Sequence, residues 1–184
     1  VLFNIAQHAT HSTWTFFTIE KFDWSEKLVG YSLGFIGLLA AIVQGGLIRV
    51  IIPKLGNIKS VYFGMIFYIL GLSLFAFAEE EWMVFAFAIP LSLGGISGPA
   101  LQGIMTNKIP DDEQGEFQGG MTSLVSLTAI IGPLLMTNLF SYFTSENSFY
   151  YFPGAPFMVG AIISFFGLII AVRFLSGSRG GSSI

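Results

Sequence analysis

The sequence predicts an all-α membrane protein with six transmembrane helices, and three observations carry that prediction. Hydrophobic residues make up 53% of the chain and charged residues only 10%, where a soluble domain carries roughly 25% charge. The apolar residues fall into six runs, each near the ~20 helical residues that span a ~30 Å hydrocarbon core. The basic residues then sort to one side of those runs.

Taken in order, the predicted spans are 1–19, 28–52, 60–78, 83–105, 116–143 and 154–175. Polar or charged stretches at 20–27, 53–59, 79–81, 106–115 and 144–148 separate them. The runs are too long, and too rich in Ala, Leu and Gly, for the two-residue alternation of a barrel strand. Gly30/Gly34, Gly94/Gly98 and Gly115/Gly119 have the small-xxx-small spacing that lets helix backbones approach closely. Pro90, Pro99 and Pro133 fall inside spans four and five, where each removes a backbone donor and is expected to bend its helix. Asp111 and Gln114 have the spacing of a capping box opening span five. The residues 176–184 read SGSRGGSSI and are expected to form a flexible tail, leaving 1–175 as one transmembrane unit.

Six spans place both ends on one side. Arg49, Lys54, Lys59, Lys108, Arg173 and Arg179 fall there, six of the eight Lys and Arg. Lys21 and Lys27 fall opposite, beside Glu20, Asp23, Glu26, Glu79, Glu80, Glu81 and Glu146. By the positive-inside rule both ends of the segment are cytoplasmic, in the cell (inner) membrane. The chain begins at Val1 with no charged region before its first apolar run, so no cleavable signal peptide is expected, and it reads as a piece of a longer chain.

The composition excludes several function classes. A net charge of −3 with thinly spread cations offers no patch for nucleic acid. With no cysteine, disulfides, thiolate metal sites and cysteine nucleophiles are ruled out. No metal or cofactor site is expected: His8 and His11 have a permissible spacing, but their span holds no supporting carboxylate.

Span one is the polar outlier. Asn4, His8, His11, Thr15 and Thr18 advance by four, three, four and three residues and form one helical stripe. Facing lipid, each unsatisfied group would cost several kcal/mol or so, and the stripe is therefore expected against other helices or a watered cavity. Histidine changes charge most readily near neutral pH, which makes His8 and His11 candidates for substrate contact or proton coupling. Gln44, Gln102 and Asn138 are the other polar groups well inside the spans. Each amide can serve a ligand or a neighbouring helix.

Longer motifs then carry a resemblance. The run 7–48, QHATHSTWTFFTIEKFDWSEKLVGYSLGFIGLLAAIVQGGLI, with IPKLGNIK after it, resembles the seventh and eighth helices and following loop of the tetracycline-efflux family of the major facilitator superfamily. PALQGIMTNKIPDDEQGEFQGGMTSLVSLTAIIGPLL resembles that family's tenth helix, loop and eleventh helix, and YFPGAPF the start of the twelfth. The resemblance covers about 4–175. It implies the C-terminal six-helix half of a twelve-helix exporter, built as two inverted three-helix repeats, with a small amphipathic drug-like substrate exchanged for protons. Its partners would be the N-terminal six-helix half and the lipid bilayer. His8, His11, Gln44 and Gln102 would meet substrate, and Lys54, Gly56 and Lys59 would belong to a cytoplasmic gating loop. Ala40 and Tyr68 stand where the family carries a coupling histidine and aspartate.

Other readings are a six-helix half-transporter working as a homodimer, a transporter-like scaffold with a structural or receptor role, and a rhomboid-like intramembrane serine protease. The last rests on Gly95-Ile96-Ser97-Gly98, but span six supplies no histidine base.

Overall fold

The computed structural model describes residues 1–146 and 148–177. Eight α-helices among them make six rods. The helices are α1 (Leu2–Phe22), α2 (Glu26–Ile42), α3 (Ile48–Leu55), α4 (Asn57–Ala76), α5 (Glu81–Leu93), α6 (Ser97–Thr106), α7 (Gln114–Thr144) and α8 (Ala155–Gly177). A π-helical turn at Val43–Leu47 joins α2 to α3, and a 3₁₀ turn at Gly94–Ile96 joins α5 to α6. The rod boundaries fall within about three residues of the predicted spans. Of the expected tail, the first two residues close α8; the rest, with Arg179, lies outside the described residues.

Five rods are long and apolar enough to cross a membrane. The sixth, α1, has 21 residues but is too polar to qualify by composition. Burial resolves the paradox, because α1 packs against α7 and α8, with Ala6, Ala9, Thr13 and Phe17 fully buried. Two of its buried hydroxyls are satisfied within the helix. Thr13 Oγ1 donates to the Ala9 carbonyl, and Thr18 Oγ1 to that of Trp14 at 3.0 Å, the back-bonding that lets Thr sit inside a helix. The Trp14 indole N–H donates to Ser32 Oγ at 3.0 Å, and that hydroxyl donates on to Val29 O at 2.7 Å. This buried chain ties α1 to α2.

Near the end where α1 and α4 finish and α8 begins, Phe17, Phe75 and Phe157 interlock with Trp14. Ring centroids lie 4.8 Å apart for Phe17–Phe157 and 5.2 Å for Trp14–Phe75, within the range of favourable aromatic pairs. In lipid such contact, rather than expulsion of water, holds helices together. The many large apolar side chains left outside, including Leu38, Ile66, Ile130 and Phe166, suit a hydrocarbon surround.

Two expectations of local structure need correction. Gly94 does approach a neighbour closely, at Tyr68, but Gly30, Gly34, Gly98, Gly115 and Gly119 meet nothing within 4 Å. Other close approaches occur at glycines outside these pairs, as at Gly64 against the Ser97 backbone. The small residues of α2 and α7 lie on faces this chain leaves open. Secondly, α7 starts at Gln114 with Glu113 as its N-cap, and no side-chain cap forms. Residues 111–113 are still in a turn, so Gln114 Nε2 donates to Asp111 Oδ1 at 3.0 Å rather than closing a capping box.

Candidate functional site

Both helix breaks lie mid-rod and touch each other. The π turn carries Gln44 and the Gly45-Gly46 pair; the 3₁₀ turn carries Gly94-Gly95, four residues after Pro90. Pro90 has no N–H to give, and paired glycines lower the cost of leaving α geometry. Within a membrane, such irregular backbone is tolerated where protein or a water-lined cavity surrounds it.

A cavity of about 640 Å³ opens there, between α1, α2, α4 and α5. Gln7, His11 and Thr15 of α1 line one wall, Gln44 another, and Tyr68 of α4 a third. A second cavity of about 460 Å³ lies toward the start of α1, lined by Asn4, Gln7, Gln102 and Gln118. Gln7 borders both. Four amides therefore converge on the second space, and two amides with one imidazole on the first. Each can donate and accept hydrogen bonds without carrying a fixed charge.

The structure separates the two histidines. His11 is exposed and lines the larger cavity with Gln44. His8 is half-buried and turned toward α7, where a Cβ added to Gly132 would lie 2.2 Å from its Cδ2. Only glycine at 132 leaves room for that ring. Gln102 lies in the second cavity, apart from His11 and Gln44. Asn138 is turned outward, its Nδ2 donating to Leu134 O at 2.6 Å. Lys54 lies in the last turn of α3 and Lys59 in the first turn of α4; Gly56 between the helices has φ 77° and ψ 159°, a conformation that L side chains rarely adopt. Residues 55–59 border a cleft with Ile104, Asn107 and Lys108 at the end of α6.

Sequence reasoning missed Gln7, Gln118 and Ser92, and noted Tyr68 only as a departure. Ala40 and Tyr68 line one cavity, so both departures bear on the same space. Ser97 is 3% exposed, lies against Gly64, and donates to Gly94 O at 2.8 Å. That is the position of a packing serine, with its hydroxyl used within the helix.

Residues 1–183 match the sequence family described as Major Facilitator Superfamily. The chain belongs to that superfamily. Within the superfamily it is similar to the tetracycline resistance proteins. The class C protein of Escherichia coli is 35% identical over 150 residues, 82% of this chain and 37% of that protein. The class E protein of Escherichia coli is 41% identical over 128 residues, 70% of this chain and 32% of that protein. Hippocampus abundant transcript-like protein 1 of Bos taurus is 27% identical over 163 residues, 81% and 32% of the two chains. The chain spans less than half the length of these curated relatives.

Proposed function

We propose that this chain is the C-terminal six-helix half of a proton-coupled exporter of small amphipathic, drug-like molecules. The observation that carries the reading is where the cavity opens. Gln7, His11 and Gln44 line a polar space beside the α2–α3 rod, which is almost wholly uncovered, as is most of α7. A second six-helix half, set against α2 and α7, would enclose that space between the two halves. All six rods would then span the membrane, as two inverted three-helix repeats with both ends cytoplasmic in the inner membrane. Rocking of one half against the other would expose the cavity to each side in turn, with Lys54, Gly56 and Lys59 helping to close the cytoplasmic side.

In this half His11 is the imidazole on the larger cavity, and a proton taken there would add charge where substrate sits. His8 is the second candidate, reached through movement of α7. The similarity to tetracycline resistance proteins makes tetracycline the first substrate to try.

The test is proton movement in liposomes containing the full-length protein. Tetracycline or another amphipathic compound added on one side should drive protons the other way. Absence of compound-driven flux across a panel of such molecules would contradict the proposal.

A further inference from the structure

A further cavity, of about 350 Å³, lies where α1 and α4 start and α6 and α8 finish. Val61, Met65, Leu101, Gly167, Ile170 and Phe174 line it, and its one polar side chain, Ser97, spends its hydroxyl on Gly94 O. Water needs several polar partners to stay in such a space, and none is offered. The outer rim is open, with Ile170 48% and Phe174 78% exposed. Here α4 and α8 pack along each other, whereas the faces left free for a second half belong to α2–α3 and α7. In the proposed assembly the rim therefore meets lipid. Along α8 the groove runs from Gly167 to Phe174, about 10 Å at 1.5 Å per residue, which fits within one leaflet of a ~30 Å core.

The inner end of the groove is not closed by helix packing. Helix α1 packs on α7 and α8, and α6 packs on α4, but α1 and α6 make little contact with each other. Val1, Phe3 and Leu101 form the seam between them, and these residues also line the cavity that holds Asn4, Gln102 and Gln118. That cavity in turn shares Gln7 with the one lined by His11 and Gln44. Phe3 stands at the junction, its ring 4.9 Å between centroids from Tyr68 of the larger cavity. Polarity thus rises along one line, from hydrocarbon to amides to an imidazole. An amphipathic molecule on this line keeps apolar contact at one end while its polar groups gain hydrogen-bond partners at the other.

We infer that the groove between α4 and α8 is a lateral entrance, through which substrate dissolved in the adjoining leaflet reaches the polar cavities. The substrate class that follows is amphipathic molecules that partition into that leaflet. The inference rests on the transporter reading for what travels the route, and adds where it enters.

Labelling from the membrane tests the entrance without requiring transport. In liposomes, a full-length protein made cysteine-free elsewhere and carrying Leu101→Cys would be offered N-pyrenylmaleimide, which dissolves in the bilayer, or a water-soluble maleimide. The pyrenyl reagent should label position 101 through the groove. Gly167→Phe fills the groove, its Cβ falling 3.3 Å from the flexible Met65 Cε. Ile170→Trp is the milder plug, set on the exposed rim. Passing the added ring carries an overpacking cost, so either plug should slow the pyrenyl reagent about tenfold or more and leave the water-soluble one unchanged. Tetracycline-driven proton flux should slow likewise, with equilibrium binding of tetracycline in detergent unaffected. The inference is overturned if position 101 is not labelled from the membrane, as when a resident lipid or another part of the full-length chain fills the groove. Plugs that leave the pyrenyl rate or the flux at the wild-type value would overturn it too, as would equal slowing of both reagents, the mark of a deformed cavity. Labelling through an open groove without compound-driven flux would leave the entrance standing and remove the exporter reading instead.

Discussion

Gly132→Ala tests the contact between α1 and α7 that fixes where His8 points. The added Cβ would lie 2.2 Å from His8 Cδ2, 2.6 Å from Cγ and 2.9 Å from Cβ. Carbon atoms in ordinary contact sit about 3.5–4.0 Å apart. Rotating the imidazole would relieve the first two distances but not the third, because His8 Cβ is fixed to the α1 backbone. The two helices must therefore separate, and α1 also carries Phe17 and Trp14 into the aromatic cluster. Overpacking of this kind costs about 1–3 kcal/mol. The full-length protein in detergent, followed by fluorescence of the buried Trp14 and Trp24, should melt several degrees lower. His8→Gly on the Gly132→Ala background removes both the ring and its Cβ, and the pair should show a favourable coupling of about 1–2 kcal/mol. A Gly132→Ala protein as stable as wild type, or no recovery with His8→Gly, would refute this placement of His8.

Other perturbations separate the site from its frame. Gly56→Ala forces a side chain onto φ 77°, ψ 159° and should cost about 1–3 kcal/mol, read as a lower melting midpoint together with slower transport. Gln44→Ala, at an exposed position on the π turn, should raise the KM for substrate while leaving the midpoint within about 0.5 kcal/mol of wild type. Tyr151 donates to Glu20 Oε1 at 2.9 Å; partial burial, and then the Glu20 carboxylate, push its phenol above the ordinary tyrosine range. A raised folded value means the tie is intact below the ordinary tyrosine range and is lost as pH climbs through the folded value. Absorbance titration should therefore show a late-ionising tyrosine component that is lost in Tyr151→Phe and shifted down in Glu20→Gln.

Much of the frame was legible because lipid imposes a simple ruler. Span two was expected at 28–52 and its rod runs Glu26–Leu55; span four was expected at 83–105 and its rod runs Glu81–Thr106. Apolar length and flanking charge were enough for both. The breaks inside those rods were not foreseen, though the Gly45-Gly46 and Gly94-Gly95 pairs mark them. A glycine pair in a membrane helix reads equally as a packing seam, and which it becomes depends on the neighbour opposite. The polar stripe of α1 correctly marked a helix unsuited to lipid, yet stripe membership could not say which cavity or helix each residue meets. His8 and His11 lie three positions apart, and that small rotation sends one to Gly132 and the other to the cavity. Tyr68 and Ser92 were hidden for a different reason. They sit singly in apolar runs, and only the packing of α4 and α5 around α1 brings them to Thr10.

This chain contains no cysteine, so the account's central claim is open to a direct measurement. In a full-length protein made cysteine-free elsewhere, His11→Cys and Gln44→Cys would be treated with a membrane-impermeant maleimide, with and without tetracycline. A watered cavity enclosed between two halves predicts that both positions label, and that tetracycline slows both. If neither position labels, or both label at the same rate whatever compound is present, the cavity does not hold substrate.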